Sequence, residues 1–576
     1  MMRMSWSVAP IAVLLVTMTP VLPNTTAAAQ AGRTLDIGGP SGDSTARACL
    51  PDSIVTAALA AFNSPTAVRA FGGGQIPAGA TISGNYSVFQ GQLKLDGTVQ
   101  GNVVVLNGDA RVTHTGVVTG TITVLGGRLV LDPGATVAGH YECEAQPALT
   151  KLPNGTVARR PPSRSIGNIA SGVAWTVGDY RITPHVGIGQ YNRVEALPIQ
   201  GGANVSRRLS GSANVRAEVF AIARTGRDPS GSRSALGWHA SGRYAHQGSL
   251  PFTLSVEGGS TIDATSDRPF SALESGVSAV LLRRDYNDWY LRRGASVMAS
   301  VRAMREVTLV GAFDISHQTT VLAIDALTLF RNTEAWRPNP LIDDGTYRTV
   351  TGRVVWDARD PLAHPVLSWF VRAEINRVSS NDLTPVSVPA TIRDALPASG
   401  YRETDGELDV RASLRIDPEQ RLTFRVVGGG YLAGDPLTIQ RRRAVGGADP
   451  LLGYDFRGIN CDRQRKPYPS TPALCDRSAA IQAEYRRTLP IDLSTLINGY
   501  TIGIRKPDLV LFADAGSAWL AGDSAGRVPA NRIQSLREWR SDVGVGVTSG
   551  PFGLFLAKSL ADAIPVRLTL LLTQRF

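Results

Sequence analysis

The sequence predicts an all-β chain in which a transmembrane antiparallel β-barrel follows a small β-helix, or solenoid. Three observations predict it. A glycine-punctuated repeat runs between Ala80 and Cys143, period-two alternation of apolar and polar residues fills the chain from about residue 166 onward, and an amphipathic segment ends on Phe576.

The first residues read as an address. Arg3 precedes an apolar run from Val8 to Leu22, and small residues Ala27, Ala28, Ala29 and Ala31 follow. That is the charge, core and cleavage pattern of a secretory signal peptide, placed over residues 1–31. Thr17, Thr19 and Pro20 interrupt the run, whereas a spanning helix needs about 20 apolar residues. No later stretch is apolar enough to cross a bilayer as a helix. Barrel strands escape that test, because about 9 to 11 alternating residues suffice to cross.

A chain of 576 residues with 59 Gly and 35 Pro exceeds one ordinary core, so more than one domain is expected. Of the four cysteines, Cys49 and Cys143 bracket the glycine-rich segment and Cys461 and Cys475 bracket a short polar one. Four cysteines allow three connectivities; pairing within each bracket is preferred by position and suits an oxidising compartment. The net charge of +11 is spread through alternating segments without an aromatic-interleaved patch. Together with export, this argues against nucleic acid as a partner and toward anionic head groups or a polar lumen.

The repeat comprises Thr81-Ile82-Ser83-Gly84, Thr98-Val99-Gln100-Gly101, Val117-Val118-Thr119-Gly120 and Thr136-Val137-Ala138-Gly139, whose glycines advance by 17, 19 and 19 residues. A period of about 20 with β-branched runs such as Val103 to Leu106 reads as stacked coils, each burying its apolar strand only against its neighbours. These coils, over 76–146, resemble bactofilin-like polymer-forming domains. The resemblance permits end-to-end polymerisation; a monomeric, capped spacer is the preferred alternative for a solenoid tied to a barrel. Within the segment 32–75, Asp52 to Phe62 has helical composition and is a candidate cap for the stack, and residues 147–165, with Pro147, Pro153, Pro161 and Pro162, form a linker.

From 166 to 576 the texture is that of a barrel wall. Leu408, Val410, Ala412, Leu414 and Ile416 alternate with Asp409, Arg411, Ser413 and Arg415; Leu236, Trp238 and Ala240 alternate with His239 and Ser241; Phe252, Leu254 and Val256 alternate with Thr253, Ser255 and Glu257; Val566, Leu568 and Leu570 alternate with Arg567 and Thr569. One such strand fits a soluble sandwich equally well. A run of this length does not, since a sandwich domain is typically about 100 residues. Trp289-Tyr290 and Trp369-Phe370 are candidates for interfacial girdles.

An ordered series of motifs resembles the surface-antigen superfamily of outer-membrane barrels, the BamA, TamA and two-partner-secretion type. Trp356-Asp357-Ala358-Arg359-Asp360-Pro361 resembles its "DxRD" strand end, and Gly446-Gly447 through Gly453-Tyr454 its inward loop "GGxxxxRGY". Glu484-Tyr485-Arg486 with Leu489-Pro490 resembles "EYRxPL", and Phe512 through Asp514 and Gly516 to Trp519 resembles "FxDxGxxW". Gly544-Val545-Gly546 through Gly553 to Ala557 resembles the penultimate strand, and Tyr290 to Gly294 is a looser match upstream. Phe576 resembles the terminal aromatic that targets such barrels to their assembly machinery. The resemblance implies about sixteen strands, an outer-membrane location, and a lumen acid at Asp514 that meets an arginine of the inward loop. Here the arginine slot holds Leu452; Arg457, five residues on, is the candidate substitute, set against both being ordinary lumen or loop charges.

Enzymatic motifs are not evident. The seven histidines show no metal-ligand spacing, and neither a nucleophile elbow nor a phosphate loop occurs, so no catalytic residue, metal or cofactor is expected. The resemblance favours insertion or translocation of proteins or lipids, with outer-membrane lipids, the assembly machinery and a periplasmic or client protein as partners. The usual helical client-binding repeats are replaced by the solenoid, which the reading places in the periplasm. A passive pore and a tether to a periplasmic scaffold are the alternatives.

Overall fold

A computed structural model describes residues 52–575 apart from 65, 144–148, 152–155, 160–167, 172–174, 211–212, 229, 232, 247–249, 266–271, 305, 332, 360–365, 418, 448–449, 462–471, 498–499, 506, 550–551 and 573–574. The expected signal peptide, Cys49, most of the linker, Asp360 and Phe576 lie outside the described residues. No helix among the described residues is long and apolar enough to cross a membrane, a statement that leaves β-barrels untouched.

The N-terminal unit is a parallel β-helix. Its strands are β1 (Val68–Phe71), β2 (Gly74–Ile76), β3 (Thr81–Ser83), β4 (Tyr86–Phe89), β5 (Leu93–Leu95), β6 (Thr98–Gln100), β7 (Val103–Leu106), β8 (Ala110–Val112), β9 (Val117–Leu125), β10 (Leu129–Leu131) and β11 (Thr136–Cys143). The spacing read from the sequence becomes vertical stacking: Thr81 lies over Thr98, Thr98 over Val117, and Val117 over Thr136. Ile76, Val88, Leu95, Val99, Val105, Val112, Ile122 and Val124 fill the interior. Glycines at the corners let successive coils approach. A Cβ on Gly108 would lie 2.0 Å from the Gly91 carbonyl oxygen, and one on Gly127 would lie 2.1 Å from that of Gly108.

Helix α1 (Asp52–Asn63) runs along the flank of the stack. The expectation that it caps the end is corrected by its contacts. Its Phe62 packs edge-on against Phe71 and Phe89 and shares one buried cluster with Leu106 and Leu125, so it touches four successive coils. These apolar side chains point outward from the β-helix, and a helix along that wall removes them from water.

A short antiparallel pair, β12 (Leu149–Lys151) with β13 (Val157–Arg159), follows. One large antiparallel sheet then takes the rest of the chain. Its strands are β14 (Asn168–Ser171), β15 (Trp175–Val177), β16 (Tyr180–Ile188), β17 (Pro198–Ser210), β18 (Ala213–Arg224), β19 (Leu236–His246), β20 (Phe252–Ala264), β21 (Trp289–Arg302), β22 (Val307–Thr320), β23 (Gly345–Asp357), β24 (Leu367–Ser380), β25 (Tyr401–Arg415), β26 (Gln420–Gly434), β27 (Arg477–Thr488), β30 (Asp508–Trp519), β31 (Arg540–Ser549), β32 (Phe552–Ser559) and β33 (Arg567–Leu571). β28 (Asp492–Ile497) and β29 (Tyr500–Arg505) form a separate hairpin between β27 and β30. β14 and β15 both pair with β16, as two pieces along one edge. From β16 to β33, sixteen strands each pair with the next in chain order.

The sheet turns a greasy face outward. In β32 exposure strictly alternates: Phe552, Leu554 and Leu556 are exposed, while Phe555 and Ala557 are buried. Leu408, Phe424, Val426, Val350, Val354 and Leu568 are exposed likewise, whereas Asp409, Arg425, Arg353 and Glu484 on the opposite face are buried. An apolar exterior around a charged interior is the inverse of a soluble protein and the pattern of a membrane barrel. Long connections (265–288, 321–344, 381–400, 435–476, 520–539) gather at one end, and short turns (303–306, 416–419) at the other.

Candidate functional site

The interior is occupied by the chain's own loops. Each loop enters carrying charge, because a buried loop must satisfy its polar groups against the wall or against another loop. Arg193, between β16 and β17, is fully buried. Its guanidinium donates to the carbonyls of Asp285 (3.2 Å) and Asn287 (2.5 Å), to Asp288 (3.2 Å) and to Asn339 (2.9 Å). Arg337 also donates to Asp288 and to the Asn287 carbonyl, 2.9 Å. Burial alone would raise the Asp288 carboxyl; Arg337, Arg457 and Arg193 outweigh it and hold that group at about 2. Burial, reinforced by Arg337, lowers Arg193 to about 10 against the pull of Asp285 and Asp288.

A second knot forms at Asp343. Its carboxylate accepts from Arg393 (3.1 Å) and from the backbone N–H groups of Val386 and Ile439, both 2.7 Å. Three connections, 321–344, 381–400 and 435–476, are thereby tied to one anion. Beside it Arg442 pairs with Asp476 at 3.0 Å, and Arg441 with Glu403 at 2.5 Å.

The glycine loop lies against the inner wall. Gly446 and Gly447 have φ of 113° and 114°, which only glycine adopts without strain, and the Gly447 N–H closes onto the Leu451 carbonyl at 3.2 Å. Leu451 packs over Gly516, where an added Cβ would lie 3.1 Å from its Cδ1. The Gly453 N–H donates to Asp542 of β31, and the Tyr454 hydroxyl donates to the Ser541 carbonyl at 3.2 Å. Leu452, in the slot where the resemblance places arginine, is buried with Val510, Phe512, Phe555, Ala557 and Leu571.

The expected Arg457 to Asp514 contact is replaced by two others. Arg457 sits above the ring of its neighbour Phe456, at 4.8 Å, and its Nη1 lies 2.5 Å from Asp288. Asp514, buried on the inner face of β30, pairs with Arg575 near the end of the chain. Arg575 also approaches Glu484 at 3.7 Å and stacks over Phe512 at 4.0 Å. Sequence reasoning missed Arg575 because it follows the last strand and belongs to no motif. The signal that pointed toward it was the apolar Leu452, which leaves the acid without a cation from the loop.

The other motif residues have local roles. Asp357 and Arg359 form a bidentate pair at 2.7 and 2.6 Å at the short-turn end of β23, with Arg359 stacked over Phe370 at 4.4 Å. Glu484 pairs with Arg486 inside the barrel, while the Tyr485 hydroxyl bonds Gln420 at 2.7 Å. Cys461 and Cys475 form a disulfide that closes the base of the segment between them. Cys143 is also disulfide-bonded, and Cys49, the partner expected for it, lies outside the described residues. Among the described residues no group of three or more His, Cys, Asp or Glu side chains is arranged to hold a metal ion.

The fold is that of an antiparallel β-barrel with an apolar outer face. No family model and no curated protein matches the chain. Solved structures similar to it include BamA from Haemophilus ducreyi lacking POTRA domains 1–3, at 10% identity and a TM-score of 0.40 over 70% of this chain and 74% of that one. CdiB from Acinetobacter baumannii is 11% identical, with a TM-score of 0.31 over 69% of this chain and 59% of that one. CdiB from Escherichia coli is 11% identical, with a TM-score of 0.32 over 74% and 66%. The chain thus spans less than two thirds of either CdiB chain.

The sheet has a seam. β33 pairs with β32 over five residues, and among the described residues its other edge pairs with no strand. Helix α2 (Ala272–Leu282) lies nearby: its Glu274 accepts the Leu572 N–H just after β33, and its Gly276 abuts Gln190, just after β16.

Proposed function

We propose that this chain is an outer-membrane barrel that inserts or translocates proteins, or lipids, at the outer membrane, and that it is not an enzyme. Its solenoid stands in the periplasm in place of the usual client-binding repeats. One observation carries the reading: long connections are knotted to one another at Asp288 and Asp343, while among the described residues β33 leaves an edge free of strand pairing. A route through the wall suits a client that must end in the membrane, since a free strand edge offers backbone groups to an incoming strand. The ordered motifs from Asp357 to Ala557 support the same reading.

Purified protein in liposomes should accelerate insertion of an unfolded outer-membrane barrel, read as growth of its heat-modifiable, protease-protected form over empty liposomes. Steady ion conductance without any acceleration would replace this reading with the passive pore. Neither activity, together with capture of a periplasmic scaffold by the solenoid, would replace it with the tether.

A further inference from the structure

The greasy outer face of the wall carries a patch of positive charge on one side. On β21 to β25, toward the end with the long connections, Arg293, Arg348, Arg377 and Arg402 are all exposed. They share the outward face with Val297, Phe313, Val350 and Leu408, which are exposed as well. The register gathers them. Arg293 pairs with His317, Ser379 lies between Arg348 and Arg402, and Arg377 pairs with Val350 and Thr404. Arg377 is thus a diagonal neighbour of both Arg348 and Arg402, a separation of roughly 7 to 8 Å.

Their depth follows from the tryptophans at the other end. Trp356 and Trp369 are exposed on the same face. They stand eight residues along their strands from Arg348 and Arg377, which is roughly 20 Å of height for tilted strands, against an apolar band of about 25 Å. The arginines therefore mark the upper margin of the band, with apolar rows beneath them. Trp238 stands at the same level, joined through Ser260 to Arg293, and an open groove lies between the two.

The charge is uncompensated. Among the described residues no Asp or Glu stands on the outward face of β21 to β25, and none of the four guanidinium groups has an ion pair or a hydrogen bond. Two acids at the rim are engaged elsewhere: Asp382 accepts from the N–H and hydroxyl of Thr346 at 2.8 and 2.7 Å, and Asp435 from the Arg402 N–H at 2.7 Å. Like charges on lipid-facing side chains repel one another and lose hydration. An anion shared among them relieves both costs.

We propose that this face binds the head group of a multiply acylated lipid bearing more than one phosphate, in the leaflet at the long-connection end. Every cation without a partner here is an arginine, whose planar fork matches a phosphate in two hydrogen bonds where an ammonium is a point charge. The four span β21 to β25, which is four strand spacings or roughly 19 Å, wider than one phosphate covers. Acyl chains hanging below such a head group meet Val297, Phe313 and Val350. The proposal rests on the outer-membrane placement, with the long connections facing away from the cell, and is independent of any client.

The test titrates the full chain, in neutral detergent and shown to be folded by heat-modifiable migration, with bis-phosphorylated lipid A, and counts bound lipid by native mass spectrometry. Arg348→Gln and Arg377→Gln should each weaken binding by roughly 5-fold, with a larger loss in the double variant and a steep decline with salt. Arg487→Gln, at an exposed arginine near the turn end of β27, should change nothing. Lipid A stripped of its phosphates should bind no better than phosphatidylcholine. Undiminished binding by the folded double variant, or by the stripped lipid, overturns the proposal. Equal affinity for phosphatidylglycerol overturns the assignment to a lipid with several phosphates, and displacement of lipid A by millimolar inorganic phosphate overturns a lipid site in favour of a free anion. Lipid binding that follows the arginines in a protein that inserts no client would count against the proposed function alone.

Discussion

Arg457 and Asp288 meet at 2.5 Å across 169 residues of chain, and through that contact the glycine loop is moored to the connection that precedes β21. Asp288 also receives Arg193 and Arg337, so one carboxylate faces three guanidinium groups, of which Arg193 meets Asp285 as well, at 3.1 Å. The consequences of removing each partner therefore differ.

Asp288→Ala should be far more damaging than Arg457→Ala. Without the acid, the buried Arg337 loses this carboxylate while Arg193 keeps Asp285, and breaking a buried pair in this way costs about 3 to 5 kcal/mol. Arg457→Ala leaves Asp288 with two partners and should mainly loosen the loop. The temperature at which the unboiled gel species converts to the boiled one should drop clearly for Asp288→Ala and little for Arg457→Ala. Equal drops would mean that the three arginines are not sharing one anion.

The same carboxylate gives a pH dependence. Its folded value of about 2 lies below its ordinary 3.8, so the stabilisation is fully present above about 4 and is lost as pH falls through about 2. Conversion temperature, followed downward in pH, should hold to about pH 4 and then decline. The Asp288→Asn variant should lack that component of the decline; an identical acid profile in both proteins would remove Asp288 as its source.

Within the solenoid, Gly108→Ala should unfold the stack locally, because its Cβ would stand 2.0 Å from the Gly91 carbonyl oxygen and the backbone there must move. Leu95→Ala, fully buried, should cost about 2 to 5 kcal/mol through its cavity. Limited proteolysis of the full chain should cut inside residues 68–143 in either variant before the barrel is touched. Unchanged resistance in Gly108→Ala would show that the coils are spaced more widely there than described.

On the wall, Leu408→Arg should destabilise by about 2 to 4 kcal/mol if the exposed face meets hydrocarbon, and Leu408→Ala by much less. Refolding titrations in lipid vesicles measure this directly. Indifference to arginine at 408 would remove the lipid-facing assignment of that strand.

Alternation at Leu408, Leu414, Phe252, Leu254 and Leu568 was enough to set the outward face, because a side-chain period of two admits only two faces and one must be greasy. The 17 and 19 residue advances likewise fixed which residues stack, since each coil can bury its strand only on its neighbour. Helix α1 was legible as a helix, but its seat was not. Phe62 goes to the flank because Phe71, Phe89, Leu106 and Leu125 together form an apolar stripe that only the folded coils assemble.

What the sequence by itself determined is therefore local and periodic: which segments are strands, which face of each is apolar, where the coils repeat, and that Leu452 brings no charge to Asp514. What only the tertiary structure decided is the partnership of charges. Asp514 with Arg575, Asp288 with Arg193, Arg337 and Arg457, and Asp343 with Arg393 join residues 49 to 169 positions apart. The physical reason is that a charge carries no periodicity. A buried carboxylate accepts whichever guanidinium the closed wall brings within reach, and that reach is set by how sixteen strands curl, not by spacing along the chain.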